Sequence, residues 1–263
     1  MGHGPKIYKL QYLLSCNIYN YMSKIMMSDG NANDKDRNKL QDYSYQDSLV
    51  KASFYFTYAF LMTTTTITFI EALRTKNEVV RHIMNLETCI SIVAAFFYSQ
   101  FLEKLKESEG KEIPYESINL TRYTDWIVTT PLMLLVLCMV LGFENKKVLT
   151  ISKYLLIIFL NFGMLLFGYM GEIKQIDKLV GLIIGFIFFF MMFWVIWKTF
   201  MNNNTTFPSK ISYFVFLIIW SIYGVIYLAD EKTKNIVFNI LDLTAKSVVG
   251  LFFWLYFTKA VKF

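Results

Sequence analysis

The 263-residue sequence is poor in residues that interrupt helices, bind metals or form disulfides, with four prolines, two histidines and three cysteines. So few prolines favour long helices over a loop-rich fold. The cysteines, at positions 16, 89 and 138, are too few and too scattered for a disulfide framework. The sequence also lacks a zinc-type ligand cluster, a phosphate-binding glycine loop and a nucleophile-elbow motif. We therefore expect neither a bound metal nor an enzyme.

Charge is scarce as well. Charged residues make up 17% of the chain and hydrophobic residues 55%, which excludes an ordinary soluble domain. The formal net charge of +6 indicates basic edges that face anionic lipid, and we expect no nucleic-acid partner. The composition predicts a chain embedded in a lipid bilayer.

Seven apolar stretches follow one another along the chain, each close to the ~20 residues that cross a bilayer as a helix. Short polar turns separate them, except for the acidic connection 103–117, which is long enough for a small hairpin between the second and third spans. The sequence predicts an all-α membrane protein, a seven-helix bundle with spans at 50–73, 80–102, 119–142, 148–170, 178–200, 209–229 and 235–258.

Residues 1–47 differ in character from the rest. Residues 7–27 have apolar positions at helical spacing, which predicts a short amphipathic helix on the membrane or over the end of the bundle. A signal sequence is the alternative, although polar residues interrupt the apolar stretch. Residues 28–47 are rich in Asp, Asn and Lys and are typical of a solvated linker. We therefore divide the chain into an N-terminal segment, 1–47, and a seven-helix domain, 48–263.

The charges of the turns predict the orientation of the bundle. Basic residues collect at one end of the spans, and acidic residues are more frequent at the other. By the positive-inside rule the C-terminus is cytoplasmic and, with seven spans, the N-terminus is outside. The basic side carries Arg74, Lys76, Arg81, Lys146, Lys147, Lys153, Lys198, Lys210, Lys259 and Lys262.

Two spans carry charges where charges are costly. Asp242 and Lys246 lie four residues apart near the middle of the last span, so both face one side of the helix. A charge at mid-bilayer costs roughly 2.5–3.5 kcal/mol on insertion scales. In the third span Arg122, Asp125 and Thr129 share one stripe, and Lys246 is the natural partner for its carboxylate. A purely structural ion-pair network is the alternative to a reactive lysine.

These motifs resemble those of the microbial (type I) rhodopsins. Residues 122–132 match the helix-three pattern Arg-Tyr-x-Asp-Trp-x-x-Thr-x-Pro-Leu of that family, and residues 242–246 match its Asp-x-x-x-Lys. Residues 220–227 are similar to Trp-x-x-Tyr-Pro-x-x-aromatic, with Gly224 in place of the proline. The end of the fourth span, residues 168–172, is similar to the Gly-Tyr-x-Gly-Glu ending of proteorhodopsins. The resemblance covers all seven spans.

The resemblance implies a cofactor, all-trans retinal, bound to Lys246 as a protonated Schiff base and isomerised by light. It implies that Asp125 is the primary counterion and proton acceptor and that Asp242 is the second. Arg122 would keep both carboxylates ionised, and Thr129 would hydrogen-bond Asp125. A desolvated lysine can form an imine, whose proton requires a nearby anion. The pocket residues that the resemblance implies are Trp126, Thr130, Met133, Met164, Gly168, Trp194, Trp220, Tyr223 and Tyr227.

Within the family that this chain resembles, a few residue positions distinguish proton pumps from channels. Proton pumps of the family carry a carboxylate seven residues beyond Thr129, where this chain has Val136, and valine carries no proton. The first two spans are instead polar, and intramembrane acids usually face a water-filled path or a partner. Alternatively, the acids near the ends of the spans lie at the membrane–water interface and line no path. The candidate path residues are Glu71, Asn85, Glu87 and Asn239.

The favoured function is thus a retinal-binding photoreceptor that acts as a light-gated cation channel, as in the viral group of rhodopsins. In channelrhodopsins the cation path runs between helices one, two, three and seven, and the polar first helices of this chain fit such a path. An outward light-driven proton pump is the alternative, and a sensory rhodopsin with a separate membrane transducer is the second. The implied partners are the lipid bilayer and cations or protons, and the family also accommodates a homo-oligomer.

Overall fold

The computed structural model describes residues 34–108, 111–202 and 205–258, with side chains from residue 47 onward. The amphipathic helix predicted at residues 7–27 lies outside the described residues. Residues 47–263 form one compact unit, which contains all the side chains discussed below.

The described residues fold into seven helical rods, as the sequence predicts. No strand occurs among them. The seventh rod consists of two α-helices, α7 and α8, joined by a π-helical turn at Leu243–Val248. The helices are α1 (Asp34–Arg74), α2 (Glu78–Glu107), α3 (Tyr115–Asn145), α4 (Ile151–Glu172), α5 (Lys178–Phe200), α6 (Phe207–Ile226), α7 (Glu231–Asp242) and α8 (Val249–Thr258).

Short polar side chains start several of these helices. Asn77 and Asp177 accept hydrogen bonds from backbone N–H groups in the first turns of α2 and α5, which otherwise have no partner within the helix. Asp230 does the same for α7, accepting from the Thr233 amide at 3.0 Å. Hydrogen bonds from Thr233 hold the pKa of the Asp230 carboxyl below its usual range. The tight turns between spans are therefore fixed by caps.

Two connections differ from the sequence prediction. The first helix begins at Asp34, so most of the polar stretch predicted as a linker continues the helix of the first span. The acidic connection 103–117 contains no strand in its described part, because α2 extends to Glu107 and α3 starts at Tyr115. Lys104 ties these helix ends together by donating to the backbone carbonyl of Ser117 at 2.9 Å. Helix and a short turn thus replace the expected hairpin.

The outer surface of the bundle is apolar, as a membrane requires. Six rods among the described residues, from α2 to the seventh rod, are long and apolar enough to cross a bilayer. The first rod falls outside that set, and its run of threonines at 63–66 lowers its hydropathy. Its exposed face nevertheless carries large apolar side chains, including Phe56, Phe60, Phe69 and Leu73.

The interior combines apolar packing with buried charge. One apolar cluster joins α1 to α2, with Phe54, Tyr98 and Phe101 at its centre. A larger cluster joins α2, α3, α5, α6 and the seventh rod. Between them lie fully buried charged side chains from α3 and the seventh rod, and these define the site.

Candidate functional site

Lys246 forms a buried ion pair across the bundle. Its Nζ lies 2.6 Å from Asp125 Oδ2 and 3.5 Å from Asp242 Oδ1, and all three side chains are at most 2% exposed. The structure thus brings together the lysine and the two acids that the sequence singled out. Because a buried charge without a partner is strongly unfavourable, these contacts are what allow a lysine at this depth.

Asp242 accepts hydrogen bonds from four side chains. Tyr223 OH donates to Oδ1 at 2.7 Å, and Trp126 Nε1 donates to the same oxygen at 3.4 Å. On Oδ2 the donors are Tyr98 OH at 2.9 Å and Arg122 Nη1 at 3.0 Å. Sequence reasoning missed Tyr98, because α2 carries no family motif that marks it.

Asp125 is much less constrained than Asp242. Its Oδ2 pairs with Lys246, whereas its Oδ1 is buried without a hydrogen-bond partner among the described residues. The Thr129 hydroxyl hydrogen-bonds Asp125, but it donates at 2.9 Å to the backbone carbonyl and not to the carboxylate. A threonine in a helix readily bonds the carbonyl four residues earlier, and that geometry prevails. One oxygen of Asp125 therefore remains available as an acceptor.

Arg122, expected to keep both carboxylates ionised, makes its ion pair with Asp242 among the described residues. Its guanidinium pairs with Asp242 and also donates to Asn239 Oδ1 at 2.8 Å and to Asn235 Oδ1 at 3.2 Å. The aromatic rings of Phe54, Phe101 and Phe238 surround it. Arg122 is thus a fixed, buried cation on the α7 side of Lys246.

The π-helical turn carries Lys246 itself. In a π turn the backbone hydrogen bond spans five residues instead of four, and such turns often occur at functional sites. Ala245, Lys246 and Ser247 are all buried within it. The turn places the lysine between the carboxylates on one side and an apolar cavity on the other.

A cavity of about 120 Å³ extends from Lys246 between α3, α4, α5 and α6. Eight of the nine predicted pocket residues line it: Trp126, Thr130, Met133, Met164, Gly168, Trp220, Tyr223 and Tyr227. Sequence reasoning missed six further lining residues, five on α5 and one on α7: Gly181, Leu182, Gly185, Phe186, Phe189 and Phe238. The family motifs do not include these positions, so only the helical phase of α5 could have revealed its residues.

The prediction that Trp194, the ninth residue, lines the pocket is wrong. Its side chain is 61% exposed on the outer face of α5, and Lys198 lies over its ring. The inward face of α5 is set by Phe189, Phe193 and Ile196, which are buried. Trp194 follows Phe193 by one position, about 100° around the helix, and so turns away from the cavity.

The four candidate path residues have different environments. Glu87 is 3% exposed, in the interior beside the seventh rod. Asn239 is also buried, but it belongs to the Arg122 network. Asn85 is exposed on the outer face of α2, which places it away from any internal path. Glu71 lies in the last turn of α1, 3.9 Å from Arg74, in keeping with the interfacial alternative.

The fold and site define a multi-pass membrane bundle in which a buried, carboxylate-paired lysine closes one end of an aromatic cavity. The family model described as "Bacteriorhodopsin-like protein" matches residues 49–260. The chain belongs to this family, the microbial rhodopsins, whose members bind retinal and serve as photoreceptors or ion transporters.

Solved structures and curated relatives agree with this assignment. The viral rhodopsin OLPVRII is 47% identical, with a TM-score of 0.75 over 81% of this chain and 100% of its own. The blue light-absorbing proteorhodopsin from Med12, 22% identical with a TM-score of 0.63 over 80% of this chain and 97% of its own, shares the fold.

Two curated relatives match shorter stretches of the chain. A green-light absorbing proteorhodopsin of Gamma-proteobacterium EBAC31A08 is 28% identical over 53% of this chain, and Opsin-1 of Neurospora crassa is 31% identical over 51%. The chain covers 61% and 47% of the lengths of these two relatives.

Proposed function

We propose that all-trans retinal is bound to Lys246 as a Schiff base and occupies the cavity. The residues present fit this group, because a buried amine opens into an aromatic, apolar cavity and faces two carboxylates at 2.6 and 3.5 Å. When bound, retinal supplies light absorption and a change of shape. Asp125 is the proton acceptor, since one of its oxygens is unpartnered, and Asp242 with Arg122 provides fixed compensating charge.

The first test of this proposal is the colour of the protein. Lys246→Ala removes the attachment atom, so the variant should show no visible absorption after addition of all-trans retinal. Tyr55→Phe, on the exposed face of α1, is a suitable control and should keep normal absorption. A normal visible band in Lys246→Ala would contradict the assignment.

We further propose that the protein is a light-gated cation channel. The observation that carries this is a row of buried polar side chains between α1, α2 and the seventh rod, on both sides of Lys246: Thr57, Thr64, Thr68, Glu87, Ser91, Asn239 and Ser247. The hydroxyls of Thr64, Ser91 and Ser247 have no hydrogen-bond partner among the described residues. Unpaired buried hydroxyls are costly unless water or an ion reaches them. The row therefore favours a hydrated route.

Glu87 supports an outward proton pump as the second candidate. A Cβ added at Gly250 would meet Glu87 Oε2 at 2.8 Å, so this carboxyl lies against the seventh rod about one helical turn beyond Lys246. Val136 is buried and offers no proton. Glu87 is thus placed to reprotonate the Schiff base from the α8 side, a role that the third helix cannot supply here.

The orientation of the bundle belongs to this proposal. The C-terminal ends of α1, α3 and α5 carry Arg74, Lys146 and Lys198 on the side of the bundle where the seventh rod ends. By the positive-inside rule this is the cytoplasmic side, so the side where α7 begins is external.

The experiment that separates these functions is a voltage-clamp recording of the retinal-loaded protein under light, with the holding potential stepped through zero. A channel gives currents that reverse near the cation equilibrium potential, and Glu87→Gln should change their size while retinal absorption persists. Currents that stay outward at every potential would overturn the channel in favour of the pump. Absence of current with normal absorption would leave a sensor that acts through a membrane transducer.

A further inference from the structure

A second buried polar cluster lies where α4 ends and α7 begins. Lys234 Nζ is 3.0 Å from Glu172 and 2.8 Å from Glu231, and the Lys234 side chain is only 1% exposed. Asn119 donates to both carboxylates, at 2.8 and 2.7 Å, and Lys178 lies 3.5 and 3.8 Å from them. We call these five residues the α4–α7 cluster. The site described above does not include it.

Hydrogen bonds connect the α4–α7 cluster to the retinal-binding lysine. Asn235 donates to Asn119 at 3.2 Å and accepts from Arg122 at 3.2 Å. Arg122 in turn pairs with Asp242, which is 3.5 Å from Lys246. A continuous polar chain therefore runs from the centre of the bundle to its α7 end, and it contains two buried fixed cations in series, Arg122 and Lys234.

The polar row of the proposed route meets this polar chain at Asn239, which accepts from Arg122 at 2.8 Å. We propose that Lys234 is a specificity-determining residue, which excludes metal cations from the α7 end of the route. The inference rests on the proposed transport function. Lys234 Nζ occupies the space between two carboxylates, 3.0 Å from Glu172 and 2.8 Å from Glu231, where a metal cation would otherwise bind, and fixed positive charges form such barriers in other pores. A proton can pass from group to group along the hydrogen bonds, whereas a hydrated metal ion must displace them.

The charge balance of the cluster indicates what the loss of Lys234 would do. Two carboxylates, Glu172 and Glu231, face two ammonium groups, Lys234 and Lys178, so the cluster is neutral when all four are ionised. Loss of Lys234 leaves one negative charge in excess. The α7 end of the route would then change from a barrier to a mouth that attracts cations.

The test is a measurement of reversal potentials of light-induced currents in opposed sodium and proton gradients. Wild-type currents should reverse near the proton equilibrium potential. In Lys234→Gln the reversal should move toward the sodium equilibrium potential, with sodium permeability relative to protons rising by roughly tenfold, the factor that about 1.4 kcal/mol of barrier represents.

Lys178→Gln is the matched control. It removes one positive charge from the same cluster, but its side chain is 34% exposed and the contacts of Lys234 remain. This variant should keep the selectivity of the wild type, as should Lys234→Arg, which retains the charge. An equal shift in Lys178→Gln and Lys234→Gln would overturn the inference, because surface charge would then explain it.

Two further outcomes complete the test. If Lys234→Gln does not yield a protein with normal retinal absorption, Glu172→Gln with Lys234→Gln removes the buried pair as a unit. This double variant leaves the cluster neutral, so its gain of sodium permeability should be smaller than the gain expected of Lys234→Gln, and no gain at all would overturn the inference. Sodium-permeable currents in the wild type would overturn the inference about Lys234 and leave the proposed transport function standing. Absence of photocurrent in a normally coloured wild type would instead overturn the proposed transport, and the inference with it.

Discussion

The two acids that face Lys246 have different surroundings. Asp242 is held by donors on α2, α3 and α6, whereas the Asp125 carboxylate pairs with Lys246 alone among the side chains that the structure describes. Arg122 depends on Asp242 for its charge pairing. At the scale of single residues the site therefore separates a loosely held carboxylate, Asp125, from a firmly held one, Asp242.

Substitution of the two acids should reveal this difference. Asp242→Asn leaves Arg122 without a carboxylate and should lower the free energy of unfolding by about 3–5 kcal/mol, the usual cost of breaking a buried pair. Asp125→Asn should cost less, because Asp242 remains 3.5 Å from Lys246. Thermal unfolding of the two retinal-free variants measures the order, and a larger loss in Asp125→Asn would contradict it.

The same variants should differ in colour once retinal is bound. Asp125→Asn removes the anion that lies 2.6 Å from Lys246 Nζ, so the ground state loses its main compensating charge. The absorption maximum should move to longer wavelength, as measured by a visible spectrum of the purified protein. An unchanged maximum would mean that Asp242 is the effective counterion.

At the scale of helices, Gly224 lies where α5 and α6 approach closely. A Cβ added at Gly224 would lie 2.4 Å from the ring of Phe186, so the absence of a side chain lets α5 and α6 approach closely. Phe186 lines the cavity at this point. The glycine that departs from the family pattern therefore shapes the wall of the pocket.

Gly224→Ala should overpack this contact. We expect a loss of about 1–3 kcal/mol in the free energy of unfolding, since the ring must shift to accommodate a methyl group. Gly185→Ala is the control, because its nearest contact would be an ordinary 3.5 Å from the Met164 carbonyl oxygen. Denaturant unfolding of the retinal-free proteins compares them, and equal losses would argue against the close approach as the cause.

The sequence was most informative where helices are regular and least informative about how they face one another. The bounds of α5 agree with the predicted span, because Asp177 caps its start and the apolar run is unbroken. The Lys246–Asp125 pair followed from motifs alone. Tyr98 and Lys234 did not, because no family motif marks either residue and their bonds to Asp242 and Glu172 form only through helix packing.

For the whole molecule, a ligand held in the cavity between four helices and the seventh rod should stabilise the folded state. A ligand that binds only the folded state stabilises it by about 2.7 kcal/mol at a hundred times its dissociation constant, which corresponds to roughly 5–10 °C in the unfolding temperature. Addition of all-trans retinal should raise that temperature accordingly in the wild type. The rise should be smaller in Lys246→Ala, and an equal rise would place retinal elsewhere.

The π-helical turn has a consequence for how this rod can change in evolution. Eight residues separate Asp242 from Gly250, which in a regular α-helix would put them about 80° apart. A π turn absorbs one extra residue, so the two positions differ by only about 20° and both face the interior. A lineage could therefore gain or lose a residue at 243–248 and keep the facing of both flanking helices. Such a length change elsewhere in the rod would turn one half of it toward the lipid.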